Sequence, residues 1–285
     1  MSTDPTSRPV LVGVDPSDSA RHAALWAADL AANQARPLLL VHAEEEAGTG
    51  QEPDWLRELL DAALRSGAAA QARTVPGNPI GRLVELSAEA HLLVVGSYGT
   101  GAQDGMLAGD VGLALVDRAR CPVAVVRGTE PGVPPSRTGP VVVGVADGAA
   151  AGDTALELAA ELAASSGARL LAVHAWSEMQ VDATGAAHRA EADPDVLAER
   201  AEQLLDARLA AVRQRHPDLP IEQESVADTA LRALLARADR ARAVVVAQRA
   251  SPPPSEGALV LGSTSRGLVE FAPCPVVVTR ASADL

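Results

Sequence analysis

The chain contains no lysine; all 24 of its basic residues are arginine. That absence excludes a P-loop lysine on a phosphate, a Schiff-base lysine and a lysine general base. Aromatic residues are scarce, with one Phe, one Tyr and three Trp. There are too few to build a stacking platform for single-stranded nucleic acid. A net charge of −13 opposes binding to a phosphate backbone in general, so no nucleic-acid partner is expected. The two cysteines, Cys121 and Cys274, are too few for a disulfide framework and lack metal-ligand spacing, so each reads as a small buried hydrophobe. No apolar run reaches the roughly 18 residues that span a bilayer. The opening Met1-Ser2-Thr3-Asp4-Pro5 has no signal-peptide core. A cytoplasmic protein with no membrane partner is the expectation.

What the chain does have is a repeat. Val10-Leu11-Val12-Gly13-Val14 returns as Val141-Val142-Val143-Gly144-Val145, and Val41-His42-Ala43 as Val173-His174-Ala175. Cys121-Pro122-Val123 returns as Cys274-Pro275-Val276. The offset grows from 131 residues at the first pair to 153 at the last. Two homologous domains, 1–128 and 140–285, therefore stand in tandem across a linker over 129–139, and the second carries an insertion. The linker is rich in Pro and Gly, which suits a short, partly stiff tether.

Short Val/Leu runs alternate with Ala-rich stretches of helical period in each copy. The runs predict strands near 9–15, 37–43, 70–75, 91–97 and 122–127. Helices are predicted near 18–34, 53–66, 79–90 and 110–119. The second copy repeats this with strands near 140–146, 168–175, 220–226, 242–248 and 274–280. Its helices fall near 152–166, 194–215, 228–239 and 263–271. Asp193-Pro194 marks a helix start and His216-Pro217 an end. Apolar strands alternating with helices imply an α/β fold, a doubly wound parallel sheet covered on both faces, with right-handed crossovers.

Three features of the first copy then meet at the carboxyl ends of the strands, where ligands sit in open α/β sheets. The first strand runs into Asp15, whose carboxylate suits ribose hydroxyls or an adenine amino group. The second ends in Val41-His42-Ala43. The fourth runs into Gly96-Ser97-Tyr98-Gly99, followed nine residues later by Gly109-Asp110-Val111 at a helix start. Gly96 and Gly99 offer close backbone approach or positive φ. The helix start offers amides and a dipole to an anion. An ordinary glycine loop with a helix cap remains the alternative.

At these residues the chain resembles the universal stress proteins, and the resemblance covers both copies nearly end to end. The ATP-binding members carry a strand-end Asp and a Gly-x-x-Gly, nine residues, Gly-Ser/Thr signature. Asp15 and Gly96-x-x-Gly99-x9-Gly109 match it. The resemblance implies two tandem Rossmann-like domains, each with a five-stranded parallel sheet and about four helices. It also implies pairing of the last strands, 122–127 with 274–280, in an internal pseudo-dimer. It implies adenine contacts from backbone near Ala43 and Val95 and phosphate contacts from Gly99, Gly109 and the residues after it. The ligand-facing candidates in the first copy are Val14, Asp15, Ala43, Val95, Gly96, Tyr98, Gly99, Gly109, Asp110 and Val111. In the second copy they are Gly262, Ser263, Thr264 and Ser265.

The departures matter as much. Asp110 stands where the signature has Ser or Thr; a carboxylate cannot donate to a phosphate oxygen and is expected instead to cap its own helix. The second copy keeps Gly262-Ser263-Thr264-Ser265 but has Ala146 at the Asp position, with Asp147 one step late. Its glycine turn has become Ala247-Gln248-Arg249-Ala250, and Pro252-Pro253-Pro254 stiffens a longer loop. ATP is thus expected in the first copy and only weakly, or not at all, in the second. His42 and His174 read as packing or hydrogen-bonding residues, Glu44-Glu45-Glu46 as a solvated loop, Arg266 as a surface residue, and Trp26, Trp55 and Trp176 as core or domain contacts. The function expected is a nucleotide-responsive regulatory or stress-survival module, not an enzyme. A scaffold that works through an unidentified protein partner is the alternative, and a weak ATP hydrolase a more distant one. Whether one chain is the complete unit or forms a homodimer stays open.

Overall fold

A computed structural model describes residues 8–44, 52–98, 110–130, 132–146, 149–177, 179–181, 187–189, 193–248 and 262–280. The first copy runs β1 (Val10–Gly13), α1 (Asp18–Asn33), β2 (Pro37–Glu44), α2 (Asp54–Arg65), β3 (Ala69–Pro76), α3 (Pro79–Leu86), β4 (Leu92–Gly96), α4 (Asp110–Arg118) and β5 (Val123–Val126). The second begins β6 (Val141–Gly144), α5 (Ala149–Ser165) and β7 (Leu170–Trp176). A short antiparallel hairpin follows, β8 (Met179–Val181) and β9 (Ala187–Arg189). The chain then returns to the repeat with α6 (Pro194–Arg215), β10 (Ile221–Ala227), α7 (Ala230–Ala238), β11 (Ala243–Ala247), α8 (Ser263–Phe271) and β12 (Val276–Thr279). The extra length lies in this hairpin and in α6, which has 22 residues against 12 in α2. As expected from sequence, Asp193 caps α6 with Pro194 in its first turn, accepting from the Asp195 amide at 3.0 Å.

All ten principal strands form one sheet in the order β10-β7-β6-β11-β12-β5-β4-β1-β2-β3. Each copy contributes the same parallel order, and the copies join antiparallel through β12 and β5, with Val276 opposite Val125, Val277 opposite Ala124 and Val278 opposite Val123. The internal pseudo-dimer expected from the resemblance is therefore the arrangement found. It covers two strand edges that would otherwise stay open to pairing with other chains. The residue after each terminal strand ties the copies together: Arg280 Nη1 donates to the carbonyls of Asp117 (2.9 Å) and Ala119 (2.7 Å), and Arg127 Nη2 donates to that of Val269. Each arginine so places its charge at the carboxyl end of the other copy's last helix, where cations are favoured.

The buried faces explain the strand sequences. Val10, Val12, Val141 and Val143 face α1, α2, α5 and α6, while Leu11, Val142, Val123 and Val276 face α3, α4, α7 and α8. Runs such as Val94-Val95 need no alternation because both sides are covered. The edge strands depart from the uniformly apolar strands anticipated: β3 alternates in exposure over most of its length, and β10 has no fully buried residue. Alanines at 23, 24, 27, 28 and 31 bring α1 close to the sheet. Cys121 and Cys274 are free and buried at opposite ends of the paired strands, and burial pushes both thiols up to about 12. Among the described residues no helix is long and apolar enough to cross a membrane.

Candidate functional site

A cleft opens at the carboxyl ends of the strands in each copy. In the first, the chain leaving β1 brings Val14 and Asp15, β2 brings His42 and Ala43, and β4 with its exit brings Val95, Gly96, Ser97 and Tyr98. Val111 and Gly112 of α4 close a cavity of about 170 Å³. The candidates Val14, Asp15, Ala43, Val95, Gly96, Tyr98 and Val111 thus share one cavity. Asp110 is exposed beside them and does not line it. Gly99 and Gly109 lie outside the described residues.

Asp15 is held in place. Its Oδ1 accepts from the Ser17 amide at 3.0 Å and from the Ser17 hydroxyl, and Ser17 Oγ caps α1 by accepting from the Ala20 amide at 3.2 Å. Tyr98 donates its amide to Ser19 Oγ at 3.4 Å, and its hydroxyl accepts from the Gly132 amide at 3.1 Å. The side chain of Tyr98 therefore reaches the inter-copy linker from the cleft.

One expectation needs correction. Gly96 does not adopt positive φ. Its missing side chain is explained by α1: a Cβ there would stand 2.5 Å from Ser19 Oγ, 2.7 Å from the Ser19 carbonyl carbon and 2.9 Å from the Ala20 nitrogen. The glycine lets β4 run against the first turn of α1. Asp110 is the first described residue of α4 and its carboxylate stands in the first turn, where it suits the helix dipole. Its counterpart Ser263 likewise opens α8, after Gly262 in the cap.

The two histidines have one role in common. His42 Nδ1 donates to the Val14 carbonyl at 3.0 Å, and His174 Nδ1 to that of Val145 at 2.8 Å. Each pins the second strand to the end of the first. His42 also has a carboxylate neighbour that the sequence reading missed, Glu44 Oε1 at 3.4 Å from Nε2, and an edge contact with Trp55 at 4.9 Å. Residues two apart on a strand share a face, so the spacing of His42 and Glu44 was the signal. Glu45 and Glu46 lie outside the described residues.

The second cleft is larger, about 350 Å³, and has Ala146 where the first has Asp15. Gly262, Ser263, Thr264 and Ser265 all line it, and Gly262 has no side-chain cap bond to its helix. The amino end of α8 therefore presents hydroxyls and no carboxylate. Arg266 pairs with Glu270 at 2.9 Å along α8. Asp147 and the loop over 249–261, expected to be irregular and exposed, lie outside the described residues.

A model of the universal stress protein family matches residues 6–127 and again 138–280. Universal stress protein Rv2623 of Mycobacterium tuberculosis is 31% identical over 303 residues, with 99% of each chain covered. Universal stress protein Rv2005c of the same organism is 32% identical, covering 96% of this chain and 97% of that one. Among solved structures, a universal stress protein from Archaeoglobus fulgidus superposes with a TM-score of 0.68 at 16% identity, over 97% of this chain and 99% of that chain.

Proposed function

Because the chain belongs to the universal stress protein family, with two copies of its domain, we propose that it is a nucleotide-responsive regulatory module of stress survival. Its ligand is an adenine nucleotide, ATP in particular, held in the first copy's cleft. The domains are 1–128 and 140–285, and the protein acts in the cytoplasm. The observation that carries this reading is the convergence of Asp15, Ala43, Val95 and the amino end of α4 on one cavity. The backbones of Ala43 and Val95 suit adenine, Asp15 suits the ribose hydroxyls, and α4 offers amides to the phosphates.

The chemistry of the two clefts fits ATP unequally. The first has the ribose acceptor but sets Asp110 beside the phosphate end. The second has the phosphate end without the acceptor. A regulatory role, rather than catalysis, is the reading that membership of the universal stress protein family supports, and the two repeated histidines serve to pin neighbouring strands through Nδ1. Asp110 supports a second reading, in which the chain is a scaffold that works through protein contacts.

Calorimetric titration with ATP, ADP and AMP separates the two. Saturable ATP binding that Asp15→Ala weakens supports the nucleotide reading. No heat from any of the three supports the scaffold. Release of phosphate from Mg²⁺-ATP above a buffer blank would replace both with a hydrolase.

A further inference from the structure

A third cavity, of about 290 Å³, lies between the two copies at the amino ends of the strands, away from both clefts. It forms where α1 and α5 meet the linker and the starts of β6 and β11. Its polar wall holds two guanidinium groups. Arg137, on the linker, pairs with Asp29 of α1. Arg242, just before β11, donates Nη1 to the Ser166 carbonyl at 2.7 Å and Nη2 to the Arg137 carbonyl. Arg242 Nε is buried without a hydrogen-bond partner. Among the described residues no carboxylate stands in an ion pair with Arg242.

Arg242 is therefore a partly buried cation beside a second cation, and Asp29, the carboxylate that lines the cavity with them and favours its charge, is already paired with Arg137. That leaves two guanidinium groups to one carboxylate, and an anion entering the cavity would balance the excess. The corresponding place in the first copy behaves differently. There His91 precedes β4, with Glu161 Oε2 3.7 Å from its Nε2, and burial pushes its pKa down to about 4. That half of the interface carries a base that can stay neutral. The Arg242 half carries a permanent positive charge, and the carboxylate next to it is engaged by Arg137. Opposite the arginines the cavity is apolar, with Trp26, Leu30, Leu162 and Val141.

We propose that this inter-copy cavity binds a small organic carboxylate with a planar apolar body, the acid group at Arg242 and the body against Trp26 and Leu30. Arg242 and Arg137 supply the charge, Trp26 and the leucines the contact area. The proposal is independent of nucleotide binding in the clefts.

The probe is 1-naphthoate, titrated into the full chain by calorimetry, with uncharged 1-naphthalenemethanol as its control. We expect saturable one-site binding of the carboxylate, at least about tenfold weaker binding of the alcohol, and a shift of the Trp26 indole signal alone among the three tryptophans by NMR. Arg242→Gln should weaken binding at least about tenfold. Because that change also releases two carbonyl contacts, Asn33→Trp provides a second test: Asn33 is exposed at the rim, and the larger side chain should block entry with Arg242 intact. Asp15→Ala should leave naphthoate binding unchanged. Absence of saturable binding to the wild type, equal binding of the alcohol, or undiminished binding in Asn33→Trp each overturns the proposal.

Discussion

Replacing Gly96 with alanine asks whether the glycine of the first cleft serves the fold or the ligand. The added Cβ meets Ser19 Oγ at 2.5 Å, the Ser19 carbonyl carbon at 2.7 Å and the Ala20 nitrogen at 2.9 Å. Two of these are backbone atoms in the first turn of α1, so no rotamer change clears them. Overpacking of this kind costs about 1–3 kcal/mol. The displaced turn begins with Ser17, which caps α1 and holds Asp15. Urea denaturation should therefore show the loss in stability, and hydrogen exchange should place it in β4 and α1. Exchange is needed because a chain of two domains does not guarantee a single transition. Ser19→Ala removes the 2.5 Å contact and leaves the other two, so the double variant should recover only part of the loss. In the second copy the same position is Ala247, and Ala247→Gly should cost about 0.5–1 kcal/mol through chain entropy. If Gly96→Ala keeps full stability and loses only ATP affinity, the glycine serves the ligand and the packing argument is wrong.

Three further outcomes follow from the same geometry. Asp110→Ser should strengthen ATP binding about tenfold, roughly 1.4 kcal/mol, because it removes a negative charge from the amino end of α4 toward which the phosphates would point. The gain should rise from AMP to ATP and shrink at high salt, as titrations at two ionic strengths will show. Arg280→Ala removes two charge-assisted bonds to the end of α4 and should cost about 1.5–3 kcal/mol in urea denaturation, with raised exchange in α4. His91 has its pKa lowered to about 4 by burial, with Arg36 and Arg8 adding to the effect. As pH falls from 6.5 toward 4 the unfolded chain binds a proton that the folded chain refuses, so stability should drop across that window. Burial raises the pKa of Glu161 and works in the opposite sense, so the readout is the difference between wild type and His91→Gln, which should have the flatter pH profile.

The inner strands were legible because burial on both faces leaves uninterrupted Val/Leu runs, as in Leu92-Leu93-Val94-Val95. The antiparallel join of β5 and β12 was not in their composition. Val123–Val126 and Val276–Thr279 would suit either direction, and only the family resemblance indicated the pairing. The β8–β9 hairpin escaped because its strands have three residues each, too short to set up a period. Gly96 was recognised as a special position, but positive φ was not what it needed, since a sequence cannot tell which atom a missing Cβ would have struck. The meeting of Asp15, Ala43 and Gly96 followed from the strand ends, whereas Val14 and Val95 came in with the family resemblance. The inter-copy cavity did not, because Trp26, Arg137 and Arg242 come from three separate stretches that only the join brings together.

The central claim is that the first copy's cleft receives an adenine nucleotide, and a crystal structure of the chain grown with ATP tests it most directly. The account predicts ATP in the first cleft, with adenine against the Ala43 and Val95 backbones, ribose at Asp15 and phosphates toward the amino end of α4. Nucleotide in the second cleft alone, or in neither cleft at saturating ATP, would contradict it.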